Sequence, residues 1–139
     1  MYFIEGRPRH RAIVEEYVSN LMVALKIHRF TARAVNIEFC KTLDDDAQGL
    51  CSGDKSVALI SINKSLPFLR QMQALAHEMV HAKQFLRGEL SHDCKGFTWK
   101  GIPGVAMKGC YTSTPWEVEA YTSERDLFLD CFPFDSYNV

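Results

Sequence analysis

The sequence has no long apolar run, and this absence argues against a membrane-spanning helix. No segment of its 139 residues approaches the roughly 20 apolar residues that a transmembrane helix requires. The N-terminal stretch MYFIEGRPRHRAIVEEY has no unbroken apolar core of the kind found in secretory signal peptides. We therefore expect a cytoplasmic protein without a membrane partner.

Paired cysteines are also missing. The five cysteines are widely spaced and include no CxxC pair, which argues against a disulfide framework and against a zinc ribbon. We expect reduced, mostly buried thiols.

A surplus of charge of either sign is missing as well. The chain has 16 basic and 17 acidic residues and a formal net charge of -1, so no general field attracts it to nucleic acid. The short basic run from Arg7 to Arg11 is more typical of a solvated helix start than of a binding face. The sequence therefore does not predict nucleic acid as a partner.

Apolar residues are plentiful enough for one folded domain over residues 1–139. Hydrophobic residues make up 47% of the chain and aromatic residues 12%, which suits a core that needs no disulfides. Hydrophobic spacing and turn residues predict a helix over 8–27, a strand over 34–40, a hairpin of strands over 48–51 and 57–63, and a helix over 66–86. They also predict an irregular segment over 88–114, anchored by Phe97, Trp99 and Tyr111, and a helix from Pro115. This order predicts an α+β fold.

The segment LAHEMVHAKQ, residues 75–84, carries the clearest chemical pattern in the chain. His77 and His81 are four residues apart, so on a helix both imidazoles lie on one face and can reach one ion. Glu78 is rotated by about 100° and would flank that ion rather than bind it. Two histidines that hold Zn²⁺ beside a glutamate that accepts the proton of an attacking water are the parts of a metallopeptidase site.

A catalytic zinc site needs a third protein ligand. Four residues are candidates: His92, Asp93, Glu117 and Glu119. The two glutamates lie in the first turns of the last helix and point to different sides, because they are two residues apart. The small side chain of Ala120, next to Glu119, would allow two helices to approach each other. This favours Glu119 as the third ligand, with Glu117 and His92 as the alternatives.

These residues resemble the small zincin-type metallopeptidases, often called SprT-like, that are common in phage genomes. The resemblance runs over residues 55–125 and rests on the segments HEMVHAKQ, Gly88-Glu89-Leu90, Trp99-Lys100-Gly101, Tyr111 and PWEVEAY. It implies a minimal zincin fold, with a small mixed sheet packed against an N-terminal helix, the central HExxH helix and a C-terminal helix. It also implies zinc held by His77, His81 and Glu119, with Glu78 as general base. If the chain is phage-encoded, the host cytoplasm is its expected location.

The chain departs from the SprT-like proteases that act on DNA-bound proteins. Those proteases take a third histidine from a glycine-histidine segment, where this chain has Ser91-His92-Asp93, and they carry a DNA-binding module. A peptidase of the gluzincin type, which uses a glutamate ligand, is the closer analogue. We therefore expect a protein or peptide substrate.

Two further interpretations follow from the same residues. Tyr111 or Tyr121 could donate a hydrogen bond to the oxyanion, although a tyrosine is more often part of a core. The alternative to an enzyme is a non-catalytic, zinc-stabilised interaction protein or a nucleic-acid-associated protein. Glu78 discriminates between these functions, because a purely structural zinc site has no use for a base beside its ligands.

Overall fold

The fold is α+β, as the sequence predicts, with a four-stranded mixed sheet and a separate three-stranded sheet. The computed structural model describes residues 1–104 and 114–138. In chain order they form β1 (Tyr2–Glu5), α1 (Arg11–Ala24), β2 (Ala34–Cys40), a 3-10 turn (Asp44–Asp46), β3 (Gly49–Gly53), β4 (Val57–Asn63), α2 (Phe68–Leu86), β5 (Leu90–Asp93), β6 (Gly96–Trp99), β7 (Ile102–Pro103), α3 (Pro115–Cys131) and α4 (Phe134–Tyr137).

The larger sheet has the strand order β1-β2-β4-β3. Strands β1, β2 and β4 are parallel neighbours, and β3 runs antiparallel to β4 as the predicted hairpin. In β2, Val35, Ile37 and Phe39 are buried and alternate with exposed Asn36 and Glu38. One face of the sheet therefore joins the core, and β3 is left at an edge.

Helix α2 lies in the centre of the molecule, between the sheet and the other helices. It packs against β3 and β4 on one side and against α3 and α1 on the other. Tyr17 in α1 donates a hydrogen bond to the carbonyl oxygen of Met72 in α2, at 2.8 Å. The helix ends before Gly88, which has φ of +73°, a left-handed conformation that glycine adopts readily at helix ends. This agrees with the predicted stop.

The segment after α2 is more regular than the sequence indicates. Strands β5, β6 and β7 form an antiparallel sheet, with Phe97 and Trp99 in β6. A second, smaller core forms here from Phe85, Leu90, Trp99 and Trp116. It joins the end of α2 and the start of α3 to the three-stranded sheet.

Helix α1 is shorter than the predicted range of 8–27. Two residues of the basic run, His10 and Arg11, make contacts within the protein where the helix begins. His10 has φ of 52°, and its ring packs edge-on against Phe68 and Tyr137. Arg11 donates to the carbonyl oxygen of Ile4 at 3.0 Å. These two residues have structural partners within the protein.

The cysteines within the described residues are free thiols, as predicted. Cys131 is buried, Cys40 and Cys51 are half-buried, and Cys94 is exposed. The expectation that most are buried is therefore wrong for this set. Across residues 1–104 and 114–138, no helix combines the length and apolar character needed to cross a membrane.

Candidate metal centre

Three buried side chains from two helices converge on one point. His77 Nε2 lies 3.0 Å from Glu117 Oε1, and His81 Nε2 lies 3.2 Å from the same oxygen. One ligand atom from each residue falls within 4.8 Å of the others. This buried His-His-Glu group could therefore hold a metal ion.

Helix geometry explains how the three side chains meet. His77 and His81 lie one turn apart in α2, so their rings share a face, with centroids 5.0 Å apart. Glu117 lies in the first turn of α3, which begins at Pro115, a residue whose fixed φ suits the first helical position. A carboxylate is also stabilised there by the positive end of the helix dipole. The packing of α3 against α2 brings this carboxylate to the histidines.

Gln84 orients His81 and fixes the position of its proton. Its Nε2 donates to the carbonyl oxygen of Trp116 at 3.0 Å and to Glu119 Oε1 at 2.9 Å. Gln84 Oε1 is therefore the atom that faces His81 Nδ1, at 2.8 Å. Because an oxygen only accepts, Nδ1 carries the proton, and in a neutral ring Nε2 presents its lone pair to Glu117.

The pKa of His81 reflects the same contacts. Burial alone would lower this pKa, but hydrogen bonds to Glu117 and Gln84, together with the negative charges of Glu117 and Glu78, raise it. The ring thus lies where a positive charge is favoured. A proton or a bound cation can supply that charge.

His77 is held differently from His81. Its Nδ1 is buried and forms no hydrogen bond with any described residue. The Glu124 Oε2 atom lies 3.3 Å away, close enough for electrostatic attraction but without the alignment of a hydrogen bond. Glu124 is two turns after Glu117 in α3, so one helix face supplies both carboxylates. Glu124 was not identified from the sequence.

Glu78 lies beside the candidate metal ligands and against the edge strand β3. A Cβ atom at Gly49 would lie 2.9 Å from Glu78 Cγ and 3.2 Å from its Oε2, so the bare glycine makes room for this side chain. Glu78 is 7% exposed. Burial raises the pKa of its carboxyl to about 7, although His81 and His77 act in the opposite direction.

The structure places Glu119 away from the predicted metal centre. Its Oε1 accepts hydrogen bonds from Lys83 Nζ at 3.0 Å and from Gln84 Nε2 at 2.9 Å. Partial burial would raise the pKa of Glu119, but these hydrogen bonds and the positive charge of Lys83 lower it. Glu117 occupies the position predicted for Glu119, and the assignment of the third ligand is corrected accordingly.

The other candidates from the sequence have different outcomes. His92 is exposed in β5 and packs against the Phe97 ring, with centroids 4.5 Å apart. Asp93 accepts a hydrogen bond from the backbone of Lys95. Neither belongs to the buried group. Tyr111 lies outside the described residues.

Tyr121 lies beside the candidate centre. Its ring centroid is 4.5 Å from that of His77, and the residue is 49% exposed. It lines a cavity of about 370 Å³ next to His77 and Glu78. A smaller cavity of about 90 Å³ lies on the side of His81 and Glu117, and Glu78 borders both. The candidate centre therefore opens to solvent through a cleft with two parts.

Comparison with known proteins adds no assignment. Family models, curated proteins and solved structures give no match to this chain. The resemblance to SprT-like peptidases stays a prediction that rests on the motif residues.

Proposed function

We propose that this protein is a zinc-dependent metallopeptidase that hydrolyses a peptide bond in a protein or peptide substrate. The observation that carries the proposal is the buried group of His77, His81 and Glu117 with Glu78 beside it, open to a cleft. Two imidazole nitrogens and one carboxylate oxygen are a donor set typical of catalytic zinc, which keeps its fourth position open.

The position of the proton on His81 Nδ1 supports a cation between His81 Nε2 and Glu117. With Nδ1 protonated toward Gln84, a neutral His81 directs a lone pair at the carboxylate of Glu117, 3.2 Å away. Two acceptors at that distance repel each other unless a proton or a metal ion lies between them. The residues therefore fit a divalent cation, and the nitrogen-rich donor set favours zinc over calcium or magnesium.

Bound in this group, zinc would supply a Lewis acid that polarises the scissile carbonyl and the attacking water. Glu78 accepts a proton from that water as the oxygen of the water forms a bond to the carbonyl carbon. The same carboxyl then returns the proton to the amide nitrogen as the C–N bond breaks. Tyr121, which lines the cleft, donates a hydrogen bond to the oxygen that gains charge.

The position of β3 at the edge of the four-stranded sheet supports a peptide as the substrate. Asn63 N donates to Gln48 O, and Asp54 N donates to Val57 O, so the even-numbered residues of β3 bond to β4. In an antiparallel pair the intervening residues turn their peptide groups outward. Within the described residues, no strand lies beside the outward-facing backbone groups of residues 49 and 51, so an extended peptide could add there as a strand next to the cleft.

The alternative is a zinc site that only stabilises the fold. Structural zinc sites are closed by four protein ligands, whereas residues 1–104 and 114–138 together offer three at this group. Glu78 would also have no role in a structural site. These two features favour catalysis.

The test is a comparison of the parent with the variants Glu78→Gln and Glu38→Gln. We expect the parent and both variants to bind about one zinc per chain by elemental analysis. Glu78→Gln should lose about 100- to 10,000-fold in peptide hydrolysis, because the amide keeps the shape and removes the base. Glu38 is exposed on the sheet, so its variant should retain full activity. Equal turnover by parent and Glu78→Gln would exclude this mechanism, and the absence of bound zinc would exclude the site.

A further inference from the structure

We propose that the smaller cavity binds an apolar substrate side chain on the amino-terminal side of the scissile bond. This inference rests on the proposed peptidase function. The apolar wall of the cavity is defined by four residues: Phe85, Leu90, Phe97 and Trp116.

The apolar wall stands directly beside the reacting groups. The cavity that it lines has a volume of about 90 Å³ and is also bordered by Glu78, His81 and Glu117. A side chain that enters it therefore belongs to a residue next to the bond under attack. The small volume suits one side chain rather than a larger group.

The chemistry of the wall favours an apolar ligand. Phe97 packs against Trp116 with centroids 5.3 Å apart, and Trp116 packs against Trp99 at 6.2 Å. Phe97 is nonetheless 38% exposed, so part of its ring is available for contact. Apolar surface that a substrate removes from water contributes favourably to binding. The charged and ionisable side chains His81, Glu117 and Glu78 also border this cavity.

The larger cavity has the opposite character. It is lined by Arg70, Gln73 and Glu124 together with His77 and Glu78. Polar and charged side chains thus lie on one side of Glu78, and the apolar wall lies on the other. This difference can fix the direction in which a peptide binds.

The direction of β3 decides which end of the peptide meets the wall. Of these two cavities, Ala47 and Gln48 border the polar one and not the apolar one, whereas Cys51 borders the apolar one and not the polar one. Strand β3 therefore runs from the polar side to the apolar side. Antiparallel pairing is the more stable arrangement, and a peptide added in that way places its amino-terminal part at the apolar wall.

The first experiment maps the cuts that the zinc-loaded protein makes in a peptide library of mixed sequence, with Glu78→Gln as the blank. We expect leucine, phenylalanine and similar residues to be enriched immediately before the cut bond. Enrichment only after the cut bond, or no enrichment, would overturn this inference while leaving the proposed function intact. Absence of cleavage above the blank would overturn the proposed function and this subsite with it.

The second experiment uses two synthetic peptides that differ only in the residue before the cut, leucine in one and serine in the other. We expect Phe97→Ser to reduce the ratio of their kcat/KM values by roughly tenfold, the scale of a lost apolar contact in a specificity pocket. Ile102→Ser is the matched control, because Ile102 lies in the same small sheet, is 52% exposed and does not line the cavity. An unchanged ratio in Phe97→Ser would overturn the assignment of the wall.

A binding measurement separates the subsite from the chemical step. Zinc-loaded Glu78→Gln should bind the leucine peptide several times more tightly than the serine peptide by titration calorimetry. This difference should disappear in the double variant with Phe97→Ser and persist in the double variant with Ile102→Ser. Equal affinity for both peptides in Glu78→Gln would contradict the proposal.

Discussion

The position of one glutamate on helix α3 decides which carboxylate reaches the histidines. Glu117 precedes Ala120 by three residues, so the two share a helix face, and Ala120 is fully buried where α3 meets α2. Glu119 precedes Ala120 by one residue and is therefore rotated by about 100°. The small side chain of Ala120 does lie where the two helices meet, but the glutamate on the same helix face is Glu117, one turn earlier, and not Glu119.

Replacement of Glu117 by alanine should weaken zinc binding by more than about 100-fold, beyond the effect of losing a residue that only orients a ligand. The reason is that two imidazoles would remain to compete with water for the ion. Competition with a chelator of known affinity measures the change.

Glu119→Ala is the matched control for that variant. Glu119 is bound to Lys83 and Gln84, so its loss should weaken zinc binding less than the loss of Glu117. If Glu119→Ala had the larger effect, the correction of the third ligand would be wrong.

Strand β3 has a glycine, Gly49, where it passes the candidate site. Gly49 has no side chain at the point where Glu78 approaches, and a methyl group there would also lie 3.2 Å from Ile62 Cδ1. We expect Gly49→Ala to displace the Glu78 carboxylate and to lower kcat by about tenfold or more, since small shifts of catalytic groups have large effects.

Zinc content distinguishes this displacement from general damage in Gly49→Ala. The three candidate ligands lie on α2 and α3, so the variant should bind zinc like the parent. Ser52→Ala is the control in the same strand, because Ser52 is exposed and lines neither of the cavities beside Glu78. A loss of kcat in Ser52→Ala as large as that in Gly49→Ala, with equal zinc content, would contradict the role of Gly49.

Helix α3 supplies a second carboxylate that approaches the centre. Glu124 Oε2 lies 3.3 Å from His77 Nδ1, and carboxylates near the outer nitrogen of a histidine orient the ring and raise its basicity. Glu124→Ala should therefore weaken zinc binding by about tenfold, measured by the same chelator competition. Asp126→Ala, at an exposed position of the same helix, should leave the affinity unchanged. Equal affinities for the parent and both variants would show that Glu124 does not support His77.

The sequence predicts elements best where a buried face repeats along the chain. The predicted strands over 34–40 and 57–63 agree with β2 and β4, because alternating apolar residues mark strands with one buried face. Strand β1 was not predicted. It has four residues, only one of them buried, and it pairs with β2 more than 30 residues later, which no local pattern reports.

The candidate site was predictable to the extent that it lies on one helix. His77, Glu78 and His81 follow from spacing alone, because one helix fixes their relative positions. Glu117 comes from another helix and depends on how α3 crosses α2, although the helical spacing to buried Ala120 could have identified it. The approach of Glu124 to His77 depends entirely on that crossing.

At the scale of the whole molecule, the candidate centre connects regions that are distant along the chain. Contacts between His77 and Glu117 span 40 residues, and they join the main core around α2 to the smaller core at the start of α3. An ion bound at this junction would hold the two helices together. Metal binding and folding are therefore expected to be coupled.

Zinc should raise the thermal stability of the protein through this coupling. An ion that binds only the folded state adds about 2.7 kcal/mol to the free energy of unfolding at a free concentration of 100 times Kd. For a chain of this size, that corresponds to a rise in Tm on the order of 10 °C. Calorimetry with buffered zinc and with excess chelator measures the difference. Glu78→Gln should show the same rise because it keeps all three ligands, whereas Glu117→Ala should show little rise at the same free zinc. An equal rise in Glu117→Ala would mean that zinc stabilises the protein at a different place.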